Sequence, residues 1–411
     1  MGMSSLRSER SLSTRCHASI RCFLTADIST TTYILILATL LFCPHVFSAT
    51  PPVDKNPQVI AYVFARDSLL QQGDIHANGV TRINYAFANL QNGRIALDYP
   101  TDAHNLETLV ALKQVNPSLT VLISVGGWLW SGKFSDMALT QENRNVFIES
   151  AVDFIHRYHL DGLDIDWEYP GMIGAGNHFR PQDKQDYTLL LKELRQRFNR
   201  EEKTQDRPLY LSVAAGASSE FLEHTEMVEV QKYVDTVNLM AYDYYEPGSD
   251  PITGNHAPLY TNPADPKKVS ADQSVRDFEQ AGVPAAKIVL GVPFYGHVWG
   301  KVSDVNHGLF ESGKPVKNAY SRYTDIANIM LKNGYTRYWD PVASVPYLYN
   351  AATETFVSYE DPESLALKCK YVLDHKLGGV MFWDYSSDPS GTLLNTIDQT
   401  LRITTAAPSA K

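Results

Sequence analysis

Eight short apolar runs rich in β-branched residues punctuate the chain, at 59–63, 83–88, 121–125, 162–167, 209–215, 236–242, 288–294 and 379–383. Most are separated by stretches whose apolar residues return at helical spacing, at 105–115, 140–158, 182–199, 220–233, 271–281, 362–375 and 393–401. Eight strands alternating with helices predict an α/β chain closed into a (β/α)8 TIM barrel. A doubly wound open sheet would alternate in the same way, but the eighth strand and the lack of a Gly-rich phosphate turn favour closure. Ser270 with Gln273 reads as a capping box at the start of one helix.

The connection after the seventh run breaks this rhythm. Residues 297–360 are too many for a simple loop, and Tyr335-Thr336-Arg337-Tyr338-Trp339 and Thr355-Phe356-Val357 have the aromatic and β-branched content of strands. A small α+β insertion is expected there, within one barrel domain spanning 50–411. Internal repeats, sustained low-complexity segments and a second linked domain are not apparent, apart from a short polar tail after Arg402.

The first 49 residues follow another logic. Arg7, Arg10, Arg15 and Arg21 precede an apolar run from Tyr33 to Phe42 and then Val46-Phe47-Ser48-Ala49, the order of a secretory signal peptide. A secreted protein is expected, with no stable membrane association after processing; an uncleaved anchor is the alternative, although the apolar run is short for a span. Cys16, Cys22 and Cys43 lie in this leader, so only Cys369 would remain, with no intrachain disulfide, and its helical setting makes it a core residue. The whole chain carries −10, and four Arg against Glu9 and Asp27 in the leader leave −12 beyond it. Nucleic acid is therefore excluded as a natural partner, whereas a neutral polymer tolerates such charge. A monomer is expected.

The candidate chemistry sits on the fourth run, Asp161-Gly162-Leu163-Asp164-Ile165-Asp166-Trp167-Glu168-Tyr169. On a strand Asp164, Asp166 and Glu168 share one face, and Leu163, Ile165 and Trp167 the other. Carboxylates spaced by roughly 6.6 Å in a confined site cannot all ionise cheaply, so they share protons, and Glu168 can stay protonated near neutrality as a general acid. A solvated acidic face conflicts with the burial that Leu163, Ile165 and Trp167 demand. A divalent-metal site would recruit flanking His or carbonyl ligands, and none is present in the run, so neither metal nor cofactor is expected. Glu168 closes its strand, which puts it at the C-terminal rim where barrel active sites form. The six tryptophans also cluster near strand ends, and Trp128, after the third strand, is a candidate sugar-stacking surface; Trp167 is assigned to the core.

The run also matches D-x-x-D-x-D-x-E, and from about Val59 to Ile397 the chain resembles the bacterial chitinases among the family 18 glycoside hydrolases. Ser124-Val125-Gly126-Gly127 fits the S-x-G-G signature of that family, and Met240-Ala241-Tyr242-Asp243 fits its M-x-Y-D pattern. The resemblance implies that Glu168 is the acid, that Asp166 orients the substrate's acetamido group, that Asp164 tunes Asp166, and that Tyr242 holds the acetamido carbonyl. Met240 and Asp243 belong to the same substrate-binding pattern, Trp383 matches the tryptophan beneath the cleaved sugar, and Tyr62 and Phe87 match aromatics lining the groove. Asp161, of opposite strand parity, and Ser124, Gly126 and Gly127 are read as supporting structure. The 297–360 insertion corresponds to one wall of a deep groove in one subgroup.

Two flanking carboxylates are the usual glycosidase arrangement, but the informative acids here lie on one strand without an evident nucleophile. The resemblance fills that gap with the substrate's own 2-acetamido oxygen and implies a secreted, retaining chitinase acting on chitin or N-acetylglucosamine oligomers. The alternatives are an endo-β-N-acetylglucosaminidase on glycans and a catalytically silent chitin-binding lectin, which usually lacks the terminal Glu. One position departs from the pattern. After Tyr295-Gly296 many relatives have Arg where this chain has His297, which leaves open the contacts on the departing-sugar side.

Overall fold

The computed structural model describes residues 56–403. The proposed leader, its cleavage point and three of the cysteines lie outside the described residues. Eight parallel strands form a closed barrel: Gln58–Val63, Arg82–Gln91, Thr120–Gly126, Gly162–Asp166, Tyr210–Gly216, Thr236–Met240, Ile288–Pro293 and Gly379–Trp383. Each pairs with the next, and the first pairs with both the second and the eighth, which closes the ring. The chain is thus a (β/α)8 barrel, and every apolar run identified in the sequence supplies one of its strands.

Register brings the signature residues level with one another. Ser124 on the third strand stands beside Asp164 on the fourth, Asp164 beside Ser212 on the fifth, and Gly126 beside Asp166. Outside the ring, Leu163, Ile165 and Trp167 pack under the surrounding helices, and Trp167 stacks on Phe134 with ring centroids 5.4 Å apart. Burying an indole this completely makes its loss expensive, about 3–5 kcal/mol for truncation to Ala. Inside the ring, Ile60, Tyr62, Ala86, Phe87, Val289 and Met381 form a separate apolar plug that carries the floor of the site.

Most helices stand where the periodicity puts them, with ends shifted by a few residues, as for Asp183–Gln205 and Pro362–Asp374. The stretch 220–233 is the exception, for it forms two short helices, Ser219–Glu223 and Met227–Val230. Ser218 caps the first, its Oγ accepting from the Phe221 amide at 3.1 Å, and the Thr225 hydroxyl donates to the Phe221 carbonyl at 2.8 Å. The capping box is half formed. Ser270 Oγ accepts from the Gln273 amide at 3.1 Å, but the Gln273 side chain donates to Asp277 instead of returning to the cap. Both arms of a box are present at Asp361 and Ser364.

Between the seventh and eighth barrel strands the chain builds a second, antiparallel sheet of five strands with a short helix, Tyr323–Asn328. Its first strand, Tyr295–Gly300, leaves the barrel almost directly and pairs with Lys314–Arg322 and Thr355–Ser358. Trp299 and Phe356 fill the core of this sheet. Cys369 is buried on the helix that follows. Among the described residues, no helix is long and apolar enough to cross a membrane.

Candidate active site

A groove of about 670 Å³ opens at the C-terminal ends of the strands. Tyr62, Phe87, Trp128, Met240, Tyr242, Asp243 and Trp383 line it together with Asp166 and Glu168. Phe87 and Trp383 stack at 5.4 Å, and Phe64 joins them, so an aromatic floor underlies the carboxylates. Three non-proline peptide bonds are cis: Ala86-Phe87 within the second strand, Glu168-Tyr169 just beyond the fourth, and Trp383-Asp384 at the end of the eighth.

The acidic face of the fourth strand points into the barrel and is buried. Asp164 is fully enclosed, with Asp166 4% and Glu168 9% exposed, which eliminates the solvated-face reading. The three carboxylates receive unequal support. Asp164 accepts four hydrogen bonds: from Tyr62 Oη at 2.9 Å, Ser124 Oγ at 2.8 Å, Ser212 Oγ at 2.5 Å and Asn238 Nδ2 at 3.2 Å. Burial pushes its carboxyl up, opposed by those donors and by the buried Arg82 guanidinium.

Asp166 has no such help. Its Oδ1 is buried without a partner, and burial, then the charges of Glu168 and Asp164, hold its carboxyl well above the usual range. Glu168 is raised to about 7, chiefly by burial and further by Asp243 and Glu246, with Tyr169 opposing. The pair therefore retains a proton near neutrality, next to a groove able to admit a ligand.

The glycines of the third strand have steric reasons. Gly126 has φ +109°, and a Cβ there would meet the Asp166 carbonyl at 2.1 Å. At Gly127, φ +82°, a Cβ would run into the Phe87 ring at 2.6 Å. Asp161 sits at the opposite end of its strand, accepting from the Val121 amide at 2.7 Å and pairing with Lys113 and Arg207.

Tyr242 and Asp243 face the acids across the groove. Burial first, then the Asp243, Asp166 and Glu168 charges, hold the Tyr242 phenol well above its usual range, so it stays a donor. Asp243 behaves in the opposite sense. Burial would raise it, but His256 and His297 outweigh that and hold it well below the usual carboxylate range.

Several lining or supporting residues were not singled out in the sequence. Ser212, Asn238 and Arg82 are polar side chains buried on barrel strands, and Ser212, alone among apolar neighbours on its strand, was a signal available in the sequence. Tyr169, Tyr295, Tyr320 and Glu246 also reach the groove from loops and from the second sheet. Of the six tryptophans, Trp128, Trp130 and Trp383 line the groove. Trp167 and Trp299 are buried in cores, and Trp339 lies beneath Arg337 on the second sheet.

A barrel with stacked carboxylates on its fourth strand and an aromatic floor defines a class, and the relatives agree with it. The family model for glycosyl hydrolases family 18 matches residues 58–388, and the chain belongs to that family. Chitinase A1 of Niallia circulans is 38% identical over 385 residues, covering 79% of this chain and 55% of that protein, so this chain spans about half of that relative. Among solved structures, a family 18 N-acetylglucosaminidase from Paenibacillus barengoltzii is 41% identical with TM-score 0.76, covering 84% of this chain and 100% of the other. A class V chitinase from Nicotiana tobaccum in complex with NAG4 is 28% identical with TM-score 0.77, covering 84% and 99%.

Proposed function

We propose that this protein hydrolyses β-1,4 links between N-acetylglucosamine units of chitin or its oligomers, with retention, using the substrate's acetamido group as nucleophile. The observation that carries this reading is the unequal support of the carboxylate ladder: Asp164 accepts four hydrogen bonds, Asp166 Oδ1 accepts none, and Glu168 is raised to about 7. Glu168 gives its proton to the glycosidic oxygen as the acetamido carbonyl oxygen attacks C1 and the C1–O bond breaks. Asp166 accepts the acetamido N–H at its unpartnered oxygen and balances the positive charge of the cyclised sugar. Tyr242 donates to the carbonyl oxygen and aligns it. Glu168, now a carboxylate, takes a proton from water, whose oxygen opens the ring at C1 from the face the leaving group left. The groove-lining aromatics offer planes to the apolar faces of the sugars.

The test uses chitosan oligomers of known acetylation pattern. Cleavage is expected only after acetylated sugars, and cuts after deacetylated sugars at comparable rates would require a protein nucleophile and overturn the mechanism. One observation favours a second reading. The solved structure at 41% identity and matched over 100% of its chain is an N-acetylglucosaminidase, whereas chitinases matched over 99–100% of theirs are 28–29% identical. Products from an N-acetylglucosamine hexamer separate the two, because monomer released from the outset marks the N-acetylglucosaminidase and mixed short oligomers mark the chitinase. We further propose export, from the arginine-rich and then apolar order of the first 49 residues. N-terminal sequencing of the protein recovered from its native source should begin near residue 49 or 50.

A further inference from the structure

The carboxylates of the fourth strand are not the only cluster at the groove. Asp243, His256 and His297 each place one ligating atom within 4.8 Å of the others. Asp243 Oδ1 lies 2.8 Å from His297 Nε2 and 3.5 Å from His256 Nδ1. His256 is wholly buried; its Nδ1 has only the long 3.5 Å approach to Asp243 Oδ1, and its Nε2 has no hydrogen-bond partner. An imidazole kept in that condition costs free energy unless some group meets its lone pair.

We propose that Asp243, His256 and His297 form a binding site for a borderline divalent cation such as Zn2+ on the wall of the groove, separate from the acidic strand. Metal bonds of about 2.0–2.2 Å in tetrahedral geometry set neighbouring ligand atoms about 3.3 Å apart, a separation that the two observed distances bracket. Two imidazoles and one carboxylate suit Zn2+, Cu2+ or Ni2+, whereas Ca2+ and Mg2+ prefer oxygen alone.

The surroundings already orient the donors. The His256 amide donates to Ser358 Oγ at 2.8 Å and its carbonyl accepts from the Tyr244 amide, fixing the loop. The Tyr295 hydroxyl donates to Asp243 Oδ1 at 2.6 Å, a supporting contact of the kind that aligns ligating carboxylates. Asp243 and His297 line the groove, which gives the ion an entry and leaves a coordination position for water. An Arg at position 297 would have no lone pair to offer, whereas the His297 imidazole supplies the third ligand. The site goes beyond the proposed hydrolysis and does not depend on it.

The test is direct titration of the untagged chain with ZnCl2 by calorimetry, with Co2+ as a spectroscopic probe. One Zn2+ per chain is expected, with visible d–d bands of low-coordinate Co2+ that Zn2+ bleaches and Ca2+ leaves unchanged. His297→Gln and His256→Asn should each weaken binding by ~10-fold or more, given what even supporting residues contribute to metal affinity. Circular dichroism checks the fold, and His297→Gln, whose side chain can still donate to Asp243, carries the test if the buried His256 variant misfolds. Absence of saturable Zn2+ binding, or binding undiminished in His297→Gln, would overturn the site.

Discussion

Replacing Glu168 by Gln should damage catalysis and strengthen the fold, with both effects traceable to one buried carboxyl. Burial, aided by Asp243 and Glu246, lifts Glu168 from 4.5 to about 7. At about 1.4 kcal/mol per pH unit, keeping this group ionised in the folded state costs about 3 kcal/mol, shared with the coupled Asp166. The sign follows from a folded value above the unfolded one. No stability is lost below about pH 4.5, the loss grows as pH rises towards 7, and it is complete above. Gln fills the same space without ionising. In urea titrations the variant should therefore gain on the native protein as pH goes from 4 to 8, by up to about 3 kcal/mol, while turnover drops by ~10²–10⁴ for want of a transferable proton. The native kcat/KM should fall about tenfold per unit above pH 7 for the same reason. A stability difference independent of pH would refute the burial argument, and near-normal turnover would refute the role of Glu168.

Asp243→Asn removes a negative charge that raises Glu168, so the alkaline limb of the kcat/KM profile should move to lower pH; a limb that stays put or moves up counts against that coupling. Tyr242→Phe should lower kcat by on the order of 10² with a smaller change in KM, as expected for a donor used mainly in the transition state, and a change confined to KM would reduce it to a binding contact. Ser212→Ala takes away the 2.5 Å donor to Asp164 deep in the barrel and should cost about 1–3 kcal/mol in urea denaturation; a neutral result would mean that the remaining three donors suffice.

How much of this was legible depended on whether the information was local. The D-x-x-D-x-D-x-E spacing placed Asp164, Asp166 and Glu168 on one face because a strand repeats every two residues, and the barrel strands were plain because each holds a short run dominated by apolar and β-branched residues. The 220–233 stretch misled because its apolar period is genuine while the backbone breaks between Glu223 and Met227, a break the side-chain pattern does not record. Tryptophan position also misled in part. Trp299 directly follows the barrel as expected, yet it faces the core of the second sheet, whose packing no local pattern reveals. The grouping of Asp243, His256 and His297 was beyond reach, since it requires a strand end, a long loop and the second sheet to converge.

The ladder's direction follows from where donors are supplied. Three similar carboxyls on one strand would titrate much alike if their surroundings were alike, and the proton needed for catalysis would be as much at home on the deepest as on the outermost. Tyr62, Ser124, Ser212 and Asn238 prevent that by crowding donors around Asp164, and Arg82 adds a positive charge to the same end. Negative charge is thereby favoured deep in the barrel relative to an unsupported carboxylate there. That charge then disfavours a second one at Asp166, which has no donor of its own at Oδ1, and Asp166 and Glu168 disfavour each other in turn. The proton is confined to the two upper carboxyls; both line the groove, and Glu168, two residues beyond the strand's last residue Asp166, is the more exposed, 9% against 4%. The polar residues scattered over strands one, two, three, five and six thus act together to decide which acid can give up a proton.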